Sequence, residues 1–276
     1  MALMEISHLT RDYGGGKGVF DLSFSVAEGE VFGFLGPNGA GKTTTIRHLM
    51  GFLRPQQGAC RIGGRDCWRQ AAEIQRDLGY IPGELALFDE MRGREYLAFL
   101  ARYRGVSDTR RMQELLERFE LDPAGRIKKM SKGMKQKLGI VAAFFHDPAV
   151  LILDEPTSGL DPLMQSRFVS LLREEKARGK TILLSSHMFE EVDRTCDRIG
   201  IIRQGRLAAL DTAEALRARH VRRYTVTLPD AAAAAAFARD FGGAQDLAAP
   251  CRVTVSARQT LEEIFLDYYG KGGEEA

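Results

Sequence analysis

Gly36-Pro-Asn-Gly-Ala-Gly-Lys-Thr43 punctuates a short loop with three glycines and ends it on a lysine and a hydroxyl. Gly-x-x-x-x-Gly-Lys-Thr is the spacing of a loop that cradles a nucleotide's phosphates. Gly36, Gly39 and Gly41 let the backbone turn sharply and approach a ligand closely. Successive N–H groups and a following helix N-terminus then face the anion. Lys42 supplies a point charge for the β- and γ-phosphates, and the Thr43 hydroxyl suits Mg²⁺. Every position of the loop is therefore a candidate contact: Gly36, Pro37, Asn38, Gly39, Ala40, Gly41, Lys42, Thr43 and Thr44. Further along, Asp154-Glu155 follows an apolar run. A carboxylate at the carboxyl end of a parallel strand faces such a loop across the sheet crevice. Asp154 is placed to orient Mg²⁺, and Glu155 to align or deprotonate an attacking water. One carboxylate suits binding; two adjacent ones suit hydrolysis of a nucleoside triphosphate.

These residues need elements that hold them. Val31-Phe-Gly-Phe-Leu35 reads as a buried strand and Thr44–Met50 as the start of a helix. Ala149-Val-Leu-Ile-Leu153 is a continuous apolar run, as in a strand buried on both faces of a parallel sheet. Strands over 181–185 and 199–202 alternate with helices over 164–178 and 188–195. The pattern predicts an α/β fold with a mainly parallel core, that is, a P-loop NTPase core. Residues 4–9 and 20–26 alternate apolar and polar residues, and 58–66 reads as a hairpin. These make an N-terminal antiparallel β-subdomain. Residues 77–82 form a strand that runs into a Pro-Gly break. Helical spacing over 94–103, 109–119 and 135–145 predicts a helical insertion spanning about 91–146. Past residue 220 the composition shifts: strands over 223–228 and 251–255, an alanine-rich helix between them and a terminal helix over 260–269 predict a small C-terminal α/β appendage over 221–270. Residues 271–276 are expected to be a frayed tail.

Composition narrows the function classes. The chain has 276 residues, enough for one large domain plus a small appendage. A formal net charge of +2 supplies no global field for nucleic acid, so no nucleic-acid partner is expected. No segment approaches the ~18 uninterrupted apolar residues of a membrane span. The opening Met-Ala-Leu-Met-Glu-Ile lacks the basic-then-apolar pattern of a signal peptide, so the expected location is cytoplasmic. Cys60, Cys67, Cys196 and Cys251 show no metal-ligand spacing and are expected to be reduced thiols.

Ser131-Lys-Gly-Met-Lys-Gln-Lys137 together with Asp154-Glu-Pro-Thr-Ser-Gly-Leu-Asp161 resembles the ATP-binding-cassette ATPases. The family signature is usually Leu-Ser-Gly-Gly-Gln. Here Met130-Ser131-Lys132-Gly133-Met134 keeps the serine and the second glycine, a variant associated with the branch that powers exporters of drugs, antibiotics and lipids. The resemblance runs from Tyr13 to His187 in family order and continues to about Leu216. It implies ATP and Mg²⁺ as ligands and a head-to-tail pair of cassettes, isologous in a homodimer. Ser131 and Gly133 of one cassette would cover ATP in the loop of the other, and Ser158–Asp161 would cross between the two sites. It also implies that Tyr13 stacks on adenine and that His187 contacts the γ-phosphate. Membrane-spanning permease partners would place the chain at the inner face of the cell membrane. The helical insertion and Leu85–Phe88 are the expected docking surface. In one respect the chain departs from the family. After Gly79-Tyr-Ile-Pro82 a glutamine usually reaches the metal and water; here Gly83 is followed by Glu84, a candidate replacement ligand. The rival expectation is a cassette ATPase acting on ribosomes or DNA. Relatives of that kind carry two cassettes or long coiled coils, and this chain has one cassette and no coiled coil.

Overall fold

Alternating apolar residues open the chain as two long antiparallel strands, β1 (Ala2–Asp12) and β2 (Gly18–Ala27). Met4, Ile6, Leu22 and Val26 point inward and are buried. The computed structural model describes residues 2–186, 189–219, 221–246, 248–258, 260, 263–264 and 266. By its internal contacts the chain divides into two units, Met1–Leu210 and Asp211–Ala276.

In the first unit the chain continues through β3 (Val31–Leu35), α1 (Lys42–Leu49), β4 (Gln57–Ile62), β5 (Arg65–Asp66), α2 (Ala71–Arg76) and β6 (Leu78–Ile81). Three helices follow: α3 (Gly93–Tyr103), α4 (Arg110–Arg118) and α5 (Lys132–Phe144). The chain then alternates through β7 (Val150–Asp154), α6 (Pro162–Ala177), β8 (Thr181–Ser186), α7 (Phe189–Thr195), β9 (Arg198–Arg203) and β10 (Arg206–Thr212). The antiparallel sheet has the order β2-β1-β4-β5, and the larger one the order β10-β9-β3-β8-β7-β6. In the latter, β3 pairs in parallel with β8 and β9, and β7 with β6 and β8. All residues of β3, β7 and β8 are buried, as covering both faces requires.

The two sheets meet through aromatic rings. Phe24 of the antiparallel sheet stacks on Phe32 of the parallel one at 5.0 Å and contacts Phe34 at 5.2 Å. On the other side of the parallel sheet, Leu97, Leu115, Phe119, Leu138 and Phe144 of the helical insertion share a core with Leu153 and Phe168.

α5 starts at Lys132, three residues before the apolar spacing predicts. Ser131 caps it, its Oγ accepting from Met134 N at 3.2 Å, so the polar first turn is helical as well. α2 was not anticipated: Ile74 is its only buried residue, too little to show a period. The second unit holds α8 (Ala213–Arg219), β11 (Val221–Thr227), α9 (Ala231–Phe241), β12 (Ala244–Gln245) and β13 (Arg252–Arg258). Its antiparallel sheet has the order β11-β13-β12. Most of the terminal helix expected over 260–269, and the tail after it, lie outside the described residues.

Gly79 lets α5 rest on β6. A Cβ there would overlap the Ala143 carbonyl and reach 2.6 Å from Leu151 Cδ2. Gly79→Ala should therefore destabilise the chain by about 1–3 kcal/mol, read as a lower urea midpoint.

Candidate functional site

β3 delivers the chain to a loop whose conformation other residues would not take. Gly41, the N-cap of α1, has φ 113°, and a Cβ there would lie 2.8 Å from Val19 Cγ1. Gly36 has a different reason to be glycine: its Cβ would meet Ile202 at 2.8 Å. Gly39 also has positive φ, at 80°. The loop is tied to the hairpin between β9 and β10, where Gly205 N donates to Ala40 O at 2.9 Å. An open cavity is lined by Pro37, Asn38, Gly39, Gly41, Lys42, Thr43, Thr44 and Glu155.

Inside the loop, Lys42 is almost fully buried. Its Nζ donates to Gly36 O at 2.5 Å and to Pro37 O at 3.3 Å, and it pairs with Glu155 Oε1 at 3.2 Å. Asp154 is completely buried at the end of β7. Thr43 Oγ1 donates to its Oδ2 at 2.8 Å, and Ser185 Oγ donates to its Oδ1. Glu155 takes the left-handed conformation with φ 51°, uncommon for a residue with a side chain. Its N–H donates to Ser185 O at 3.1 Å. The start of α1 and the end of β7 so bring lysine, hydroxyl and two carboxylates to one place. The donors beside Asp154 are hard oxygens, which suit Mg²⁺. Among the described residues no cluster of three His, Cys, Asp or Glu forms a closed metal cage.

The remaining predicted residues fall in several places. Tyr13 follows β1 and is 50% exposed. Its turn leads to Gly18, whose carbonyl oxygen would lie 3.2 Å from a Cβ on Gly41, so it abuts the loop. Ser131 caps α5, and Gly133 packs where a Cβ would come 2.8 Å from Gly159 O. Lys132 Nζ donates to Ser158 Oγ at 3.0 Å, and buried Gln136 Nε2 donates to Pro156 O at 2.6 Å. The signature helix thus grips the segment that follows Glu155. Asp161 caps α6, accepting from Met164 N at 2.9 Å. A Cβ on Gly83 would lie 3.1 Å from Asp154 Oδ2, while Glu84 is exposed and makes no hydrogen bond or ion pair among the described residues. His187 lies outside the described residues.

Sequence reasoning passed over Ser185 and Glu191. Two serines at the end of an apolar strand were the signal for the first. Glu191 reads as one of several charges on α7 and gives no signal, yet it is buried. One carboxylate oxygen accepts from Ser186 Oγ at 2.8 Å and Thr157 Oγ1 at 3.3 Å. Burial pushes its pKa up to about 7, with Glu155 adding to the rise and the two hydroxyls opposing it.

A glycine loop between a buried parallel strand and a helix, facing two carboxylates, defines a nucleoside triphosphatase of the phosphate-loop class. Comparison with known proteins narrows this. Residues 19–158 match the family described as ABC transporter. The chain is 41% identical over 225 residues to "Nod factor export ATP-binding protein I" of Paraburkholderia xenovorans (strain LB400), covering 80% of this chain and 74% of that one. It is 39% identical over 208 residues to "Bacitracin transport ATP-binding protein BcrA" of Bacillus licheniformis, covering 74% and 68%. Among solved structures it resembles an "ATP binding subunit of ABC transporter", with TM-score 0.73 and 36% identity over 79% of this chain and 92% of that one. The chain belongs to the ABC transporter family, as its ATP-binding, ATP-hydrolysing subunit.

The pH dependence of stability offers a test of the Glu191 environment. Its folded pKa is raised, so the native state holds the proton more tightly than the unfolded one. That contribution is complete below about pH 4.5 and is lost as pH rises through about 7. Glu191→Gln should flatten the fall in urea midpoint between pH 5 and 7.5, and an unchanged slope would contradict the assignment.

Proposed function

We propose that this chain powers export through separate membrane-spanning subunits, by closing and reopening a dimer of cassettes around two ATP molecules. The observation that carries this reading is the joining of Lys42, Thr43, Asp154 and Glu155 in one cluster. Lys42 binds the β- and γ-phosphates, leaving the Gly36 and Pro37 carbonyls it now touches. The loop amides and the N-terminus of α1 hold the remaining phosphate charge. Thr43 and Asp154 are the residues that would hold Mg²⁺, which when bound neutralises charge on the phosphate oxygens. Glu155 aligns the attacking water and accepts its proton as the γ-phosphate transfers. Tyr13 stacks on adenine, and His187 contacts the γ-phosphate.

Ser131 and Gly133 of the second cassette cover the same nucleotide, and the pair is a homodimer. Gln136 and Lys132 join that covering helix to the segment after Glu155, which supports coupling between closure and hydrolysis. With no side chain at 83, either Glu84 swings in as a metal ligand or the ion keeps an extra water.

Export is supported by the names of two relatives, which speak of export of Nod factor and transport of bacitracin. No described helix is long and apolar enough to cross a membrane, and in this reading the span belongs to a partner. Such a partner would hold the chain at the inner membrane face. Exposed rings offer it a docking surface: Phe88 meets Tyr96 and Phe99 edge-on at 5.9 and 6.0 Å, and Phe52 meets Tyr80 at 5.9 Å. Phe88 and Phe52 are each more than half exposed.

Glu155→Gln should lower ATP hydrolysis by about 10²–10⁴-fold while ATP still drives dimerisation, seen by size-exclusion chromatography. Undiminished hydrolysis would remove Glu155 from its role. Affinity purification from detergent-solubilised membranes should bring down a multi-span protein, and Phe88→Asp should weaken that capture without changing ATP affinity.

A further inference from the structure

Two chemically matched side chains meet at the end of β1. Arg11 lies near the end of β1, and Tyr13 stands just past it. The guanidinium carbon of Arg11 lies 5.3 Å from the centre of the Tyr13 ring. That is within the range of a cation over an aromatic face.

The turn carrying Tyr13 is held on several sides. Asp12 N donates to Gln56 Oε1 at 2.7 Å, and Gln56 Nε2 donates to Asp12 O at 3.3 Å. Gly14 N donates to Asp12 Oδ1 at 2.7 Å. Tyr13 N donates to Lys17 O at 2.9 Å, and Lys17 N to Gly14 O at 3.1 Å. With the backbone fixed, only the side-chain torsions of Tyr13 decide where its ring points. Arg11 is the cation against that ring. Its Nε is buried and has no hydrogen-bond partner among the described residues. Nearby His48 does not oppose it with a second charge. Burial and then Arg11 itself favour the neutral imidazole, against the pull of the Leu53 carbonyl, which lies 2.9 Å from His48 Nδ1.

We propose that Arg11 is a positioning residue for the nucleobase. Its guanidinium covers one face of Tyr13, a half-exposed residue, and strengthens stacking of the other face on adenine by polarising the ring. The inference rests on the reading of Tyr13 as the adenine platform. It adds a residue that binds no part of the nucleotide itself.

The test separates base from phosphate. Equilibrium titrations of the full chain with ATP and with inorganic tripolyphosphate are compared for Arg11→Ala, Arg11→Lys, Tyr13→Ala and the Arg11→Ala/Tyr13→Ala double variant. Arg11→Ala should weaken ATP binding about fivefold, the scale of a cation–ring contact at a partly exposed site. Tripolyphosphate affinity should stay within about twofold, and Arg11→Lys should recover part of the loss. In the Tyr13→Ala background, Arg11→Ala should weaken ATP no further, because its only route to the base is gone. The proposal is overturned if Tyr13→Ala weakens ATP but Arg11→Ala does not. It is overturned equally if Arg11→Ala weakens ATP and tripolyphosphate alike, or if the two losses add. If Tyr13→Ala itself leaves ATP affinity unchanged, the adenine platform falls, and the role of Arg11 with it.

Discussion

A carboxylate without access to water has to find its hydrogen bonds in the protein, and Asp154 is in that position. It is satisfied by Thr43 from the start of α1 and by Ser185 from β8. These two bonds tie the end of one strand to its neighbour and to the helix that closes the phosphate loop. A shift of any of the three elements would cost this buried carboxylate at least one of its two hydroxyl donors, about 1–3 kcal/mol. The order of strands in the parallel sheet is thereby linked to the geometry of the site. Lys42, set by the same helix, then reaches Glu155, the residue after Asp154.

Around this centre the backbone is held in conformations that most residues avoid. Gly41 and Gly39 have positive φ because the loop must turn its amides inward, and Gly41 is also too crowded for a Cβ. Glu155 takes positive φ without being glycine. The stretch that follows it is gripped by Gln136 and Lys132 of α5. Strain at Glu155 and support from α5 belong together: the conformation persists because its surroundings over-determine it.

Much of this was legible in the amino-acid order. The phosphate loop, the Asp154-Glu155 pair and the buried strands announced themselves through glycine spacing and unbroken apolar runs. The helical insertion was visible because α3 and α4 each present an apolar face. α2 was not, because a helix with one buried residue has no period to detect. Glu191 and Arg11 were not either, since a charged residue near others reads as a solvated surface. Only the packed chain shows that the carboxyl of one is buried between two hydroxyls and that the guanidinium of the other lies against a ring.

Local order alone determined that this chain binds a nucleoside triphosphate and carries a carboxylate pair suited to cleaving it. Those properties depend on residues a few positions apart, whose spacing sets which backbone groups point the same way. Tertiary structure decided what surrounds them. It set Ser185 against Asp154 and Gln136 against Pro156, and it brought Gly83 up to the carboxylate of Asp154. These pairs lie tens of residues apart, and only the registry of parallel strands and the packing of α5 bring them together.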